Sequence, residues 1–197
     1  IIGLGGSACT DAGAGMLQAL GAKLLDQDGT QIPRGGNSLV ALASIDLSEV
    51  LERIAGKQLI VATDVSNLLL GKQGAAHVFG PQKGAGVNAV ALLERNLEHF
   101  SRCASAHGFE ISKFPGSGAA GGIGGALGGM LGAQIRSGVQ IVMQALDFEK
   151  ELESVDLVIT GEGSMDFQSA AGKVPAGVCA MAKRAQVPVI GVAGMVG

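Results

Sequence analysis

The sequence predicts an α/β fold, and three observations carry that reading. Short β-branched runs at Gln58–Ala62, Asp156–Thr160 and Val187–Val192 alternate with stretches of helical apolar spacing. The last two runs flank a helix expected over Val174–Arg184, which makes a βαβ unit with a parallel strand pair. The apolar pair Ile1–Ile2 reads as a strand that enters a glycine-rich turn and then a helix.

Taken in order, that first turn is Gly3-Leu4-Gly5-Gly6-Ser7-Ala8-Cys9-Thr10-Asp11, and the helix after it is expected over Ala14–Leu20. A long helix follows from the apolar residues Val90, Leu93, Leu97 and Phe100 within Val87–His107. Ile123, Leu127, Met130 and Leu131 also have helical spacing, with Gly121, Gly125, Gly128 and Gly132 on the other side. Each interior glycine costs a helix about 1 kcal/mol against alanine, so another backbone or a ligand is expected to come very close there. The stretch from Phe114 to Gln134 carries no charge and contains GxxxG spacings. Its large apolar residues are too few for a membrane-spanning helix, and none is expected.

The 197 residues suffice for one ordinary domain or two small ones. A net charge of −3, no Trp or Tyr and only six Phe supply neither a basic surface nor stacking platforms, so no nucleic-acid partner is expected. Cys9, Cys103 and Cys179 are odd in number, widely spaced and without metal-like pairing, as in a reduced, cytoplasmic protein. The chain opens on Ile1-Ile2-Gly3 and closes on an apolar run, so it is expected to be a piece of a longer protein.

Four segments can carry chemistry. In the first loop the glycines permit φ > 0 and let amides converge on an anion, helped by the helix that follows. Ser7 and Thr10 add hydroxyls; the plainer role of Thr10 or Asp11 is a helix cap. The loop is neither a Walker loop nor a dinucleotide fingerprint. In the second, Thr63-Asp64-Val65-Ser66-Asn67 ends a strand, where α/β sheets collect ligands. Asp64 and Asn67 can hold Mg²⁺ or a hydroxyl there, or simply form an Asx-turn. In the third, Lys83 stands between turn glycines Gly80 and Gly84, where it can meet a phosphate. In the same segment His77 reads as a half-buried, satisfied histidine; His99 and His107 read as surface residues of the long helix. The fourth runs Thr160-Gly161-Glu162-Gly163-Ser164-Met165-Asp166, followed by Gly172-Lys173. It offers carboxylates for Mg²⁺ or a hydroxyl and a cation for phosphate, the parts that phosphoryl transfer uses.

Together these segments resemble the glycerate kinases of the bacterial glycerate 2-kinase type, across essentially the whole chain and in order. The resemblance rests on Gly3–Ala8 with Asp11, on Asp64-Val65-Ser66-Asn67 with Leu69-Leu70-Gly71, and on Phe79–Ala85. It continues through Pro115–Gly122 and Thr160-Gly161-Glu162-Gly163 with Asp166, Gln168, Gly172 and Lys173. It implies two α/β domains, a Rossmann-like parallel-sheet domain and a second α/β domain, incomplete here. Residues 1–150 would be most of the inserted second domain and 151–197 part of the Rossmann-like one. It further implies ATP and Mg²⁺, glycerate as acceptor and 2-phosphoglycerate as product. Asp64, Glu162, Asp166 and Lys173 become the expected catalytic residues, with Asp166 and Glu162 toward the metal. Gly5, Gly6, Ser7, Thr10, Asp11, Asn67 and Lys83 become the expected substrate and phosphate contacts. The chain departs from the family pattern at Ser164 (usually arginine), Phe167 (serine), Ala171 (histidine), Thr10 (asparagine) and Leu68 (proline). A kinase for another small hydroxy acid and a non-catalytic nucleotide- or anion-binding module therefore stand beside glycerate kinase as readings.

Overall fold

The computed structural model describes residues 1–165 and 174–196. It is an α/β chain that divides into two compact units, Ile1–Ile135 and Arg136–Gly197. The division precedes the expected one at 150/151, because the helix before that point packs with the later βαβ residues.

In the first unit, β1 (Ile2–Gly3) pairs in parallel with β4 (Ile60–Ala62), with Gly3 opposite Ala62. Strand β5 (Gln134–Arg136) lies on the other side of β4. A separate antiparallel pair joins β2 (Lys23–Leu25) to β3 (Ser44–Asp46). The sequence did not announce β2, β3 and β5, each only three residues long.

Helix α1 (Ala14–Ala19) follows the glycine loop, and α2 (Ser48–Ile54) follows β3. Helix α3 (Val87–Ala106) presents Val90, Leu97 and Phe100 to the core, as its spacing predicts, with Leu93 only partly buried against it and Ala104 buried as well. It ends in a Schellman turn: Gly108 takes φ +87°, Phe109 N donates to Ala104 O and Gly108 N to Ser105 O. His107 is exposed, as expected. His99 departs from the expectation: it is half-buried, and its Nε2 lies 2.8 Å from Leu42 O. His77 is the converse case, an exposed ring whose Nδ1 lies 3.4 Å from Glu94 Oε2.

The glycine segment corrects the expectation of one regular helix. Ala120, Gly121 and Gly122 all have positive φ (52°, 69° and 100°), a left-handed turn within α4 (Ala119–Gly125). A wide helical turn over Ala126–Met130 follows. The expected close backbone approach is present. A Cβ on Gly121 would collide with Cys9 O, and one on Gly122 would stand 2.6 Å from Ala12 Cα. Among the described residues no helix is long and apolar enough to cross a membrane.

One buried hydroxyl ties this segment to its neighbours. Ser117, with no exposed surface, accepts from Leu69 N (2.9 Å) and donates to Ser112 O (3.1 Å). Ser117→Ala strands the Leu69 N–H in the core, so unfolding by urea should show a loss of about 2 kcal/mol.

The second unit holds the expected βαβ. Strand β6 (Val158–Met165) and strand β7 (Val189–Val196) are parallel, joined through α7 (Val174–Arg184). Helices α5 (Gly138–Ala145) and α6 (Phe148–Glu151) precede β6. Val139 and Met143 of α5 share a small core with Val178 of α7. Ile159, Ile190 and Val192 are 68%, 50% and 56% exposed.

Candidate active site

Parallel pairing of β1 with β4 sends both strands out at one sheet edge, at Leu4–Ser7 and at Thr63–Asn67. Leu4 N still donates to Ala62 O (2.9 Å) before the glycine loop departs. Carboxyl-end edges of this kind are where α/β sheets receive ligands.

Lys83 reaches this edge from a distant part of the sequence. It closes the short helical turn Pro81–Lys83, and Gly84 turns the chain away with φ +90°. Its Nζ donates to Ser7 Oγ (2.9 Å) and to Cys9 O (2.7 Å). An ammonium has three N–H donors; with two anchored, the third remains for an anion. Partial burial pushes the Lys83 pKa down from its usual value, opposed by the negative charge of Asp11.

Two cavities share Lys83 as a wall. One, about 230 Å³, is lined by Gly5, Gly6, Ser7, Val65 and Gln82 as well. Gly6 has φ +59°, and a Cβ on Gly5 or Gly6 would meet nothing within 4 Å. The protein itself thus leaves the space beside these amides open. The other cavity, about 400 Å³, is lined by Cys9, Thr10, Asp11, Arg34 and Asn37. Cys9 is no ready nucleophile: burial, then the charge of Asp11, push its thiol pKa up. A third cavity, about 830 Å³, lies among α5, α6 and α7. Its Arg184 is paired with Glu149 at 2.9 Å, and it has no glycine loop.

The expected site residues fall into distinct positions. Gly5, Gly6, Ser7 and Lys83 come together. Thr10 and Asp11 are buried beside them, but Asp11 serves as a cap: its oxygens accept from Gly13 N and Gly15 N, both at 3.1 Å. Asp11 thus holds Gly15 N of α1 through its side chain and Ala14 N through its carbonyl. Asp64 is exposed on the loop beyond β4. Asn67 Nδ2 donates to Gln73 O (2.8 Å) and closes its own loop. In the second unit, Glu162 lies within β6 opposite Ala193, because the strand continues past the expected end at Thr160. Asp166 and Lys173, with Phe167, Gln168, Ala171 and Gly172, lie outside the described residues. Sequence reasoning missed Arg34, whose signal was its place before the Gly35-Gly36 pair.

The scaffold and its edge define an α/β protein with a lysine-anchored glycine loop. The chain belongs to the Glycerate kinase family, whose profile matches residues 1–197. It is 49% identical over 197 residues to the glycerate kinase of Bacillus subtilis (strain 168), covering all of this chain and 52% of that protein. It is also 49% identical over 195 residues to the glycerate 2-kinase of Escherichia coli (strain K12), covering 98% of this chain and 51% of that protein. A crystal structure of a Salmonella typhimurium LT2 protein superposes with a TM-score of 0.84 at 46% identity. That match covers 98% of this chain and 54% of the other. The chain thus spans about half the length of the curated relatives it matches.

Proposed function

We propose that this chain, within a protein of its relatives' length, serves the ATP-dependent phosphorylation of glycerate to 2-phosphoglycerate in the cytoplasm. The supporting observation is the Lys83 ammonium anchored on Ser7 and Cys9 above open glycine amides. Phosphoryl transfer asks chiefly for positioning and charge neutralisation. The γ-phosphoryl passes directly to a glycerate hydroxyl; the bond to the ADP oxygen breaks and the hydroxyl proton leaves to a carboxylate or to water. Gly5 and Gly6 amides with Lys83 hold phosphate oxygens. Glu162, Asp166 and Lys173 are proposed to serve the same reaction on the family resemblance of their segment alone.

Among the described residues no group of three His, Cys, Asp or Glu is placed to cage a metal. Mg²⁺ in kinases needs only one or two carboxylates beside nucleotide oxygens and water. Asp64, exposed on the loop beyond β4, would supply such a carboxylate. The ion, when bound, neutralises phosphate charge.

Ser164, opposite Met195 in β6, stands where the family resemblance has an arginine, which favours as second reading a different small hydroxy acid. The test is ATP turnover by the full-length protein against glycerate, other small hydroxy acids and glycerol, with ³¹P NMR of the product. Glycerate should be the preferred acceptor. Preference for another acid supports the second reading, and MgATP binding without turnover of any acceptor rejects both in favour of a non-catalytic module.

A further inference from the structure

We propose that Arg34 recognises the carboxylate of the acceptor and so sets the preference for hydroxy acids over neutral alcohols. This rests on the kinase reading and assigns one half of its site. Arg34 lines the cavity of about 400 Å³ together with Lys83, Thr10, Asp11 and Asn37. Its guanidinium is exposed and makes no ion pair or hydrogen bond among the described residues. The acid on the same cavity, Asp11, is bonded to Gly13 N and Gly15 N and forms no ion pair with Arg34.

The segment that carries Arg34 is held from both sides. Gln18 Nε2 donates to Ile32 O (2.8 Å), and buried Asn96 donates through Nδ2 to Gly36 O (2.9 Å) and Asn37 O (3.3 Å). Gly36 presses so closely on Thr10 O and on Leu93 Cδ2 that any Cβ there would collide. Gly35, at φ +104°, makes the bend before it. A core asparagine and a glycine pair thus fix the base of an otherwise unpartnered arginine beside the glycine loop.

A guanidinium presents a planar fork matched to two carboxylate oxygens. Lys83 borders both cavities. An acid gripped at Arg34 therefore extends its hydroxyl toward Lys83, while phosphates lie over Gly5 and Gly6 on the other side. The ligand class is a small 2-hydroxycarboxylate.

Full-length Arg34→Ala and Arg34→Lys test the assignment by separate KM values for glycerate and MgATP. Arg34→Ala should raise the glycerate KM by about 30- to 100-fold and leave the MgATP KM within about twofold. Preference for glycerate over glycerol should shrink by the same factor, and guanidinium chloride should lower the Arg34→Ala KM again. Arg34→Lys should recover part of the loss. A rise in the MgATP KM instead, or unchanged KM values for both, overturns the proposal. Calorimetric titration of glycerate into both proteins needs no turnover. Equal affinities would count against Arg34 even if the kinase reading failed, and weaker binding to Arg34→Ala would support it.

Discussion

Replacing Lys83 with methionine in the full-length protein should lower kcat/KM for phosphorylation by about a thousandfold or more. Methionine keeps the stem that packs beside the glycine loop and removes the charge. The loss is expected to be large because the ammonium is held from two sides, by Ser7 Oγ and Cys9 O, and needs no reorganisation to meet a phosphate. Thermal unfolding should change little by comparison. The pH profile carries a second mark of the same residue. Burial lowers the Lys83 pKa, and the protonated form binds the anion. Activity therefore persists at neutral pH and falls as pH rises through that lowered pKa, earlier than for an ordinary lysine. Lys83→Arg should push the alkaline limb beyond the lysine range while turning over slowly, since a planar fork does not fit a point-charge anchor. Near-wild-type turnover by Lys83→Met would remove Lys83 from the site.

The second large effect concerns the left-handed turn that supports the loop. Gly121→Ala and Gly122→Ala should each destabilise the protein by about 3–5 kcal/mol, since positive φ and a collision act together. Gly121 stands against Cys9 O and Thr10 Cα, and Gly122 against Ala12 Cα and Leu69 Cδ1. Ala12 N also donates to Gly121 O at 3.0 Å. The comparison is Gly132→Ala, where φ is +67° but a Cβ meets nothing within 4 Å. There only the backbone term remains, about 1 kcal/mol. Urea midpoints of the three variants decide the matter: equal costs would mean that the close approach contributes nothing. Because Cys9 O anchors Lys83, folded Gly121→Ala should also lose turnover, whereas Gly132→Ala should not.

Some of this architecture was legible because it is local. The apolar repeat of α3 and the pattern Asp156–Val192 each specify an element through near neighbours. Helix α7 falls on Val174–Arg184, the expected span. The glycine segment was legible only as a place of close approach. Its apolar spacing suggested a helix, but the positive φ of Ala120–Gly122 comes from packing against Cys9–Ala12, about a hundred positions earlier. The short strands β2 and β3 owe their existence to pairing with one another, which their own three residues do not encode. The site divides in the same way. Glycine-loop chemistry announced Ser7 as a candidate, and turn glycines announced Lys83, but their contact spans 76 positions. Arg34 was passed over despite the Gly35-Gly36 pair after it, because its meaning depends on Asn96 and Thr10 fixing the loop beneath it.

A crystal structure of the full-length protein with glycerate and a non-hydrolysable ATP analogue tests the central claim most directly. Phosphate oxygens should lie against the Gly5 and Gly6 amides within hydrogen-bond distance of Lys83 Nζ, with the acid on the Arg34 side. Both ligands bound elsewhere, with Lys83 still fastened only to Ser7 and Cys9, would contradict the account.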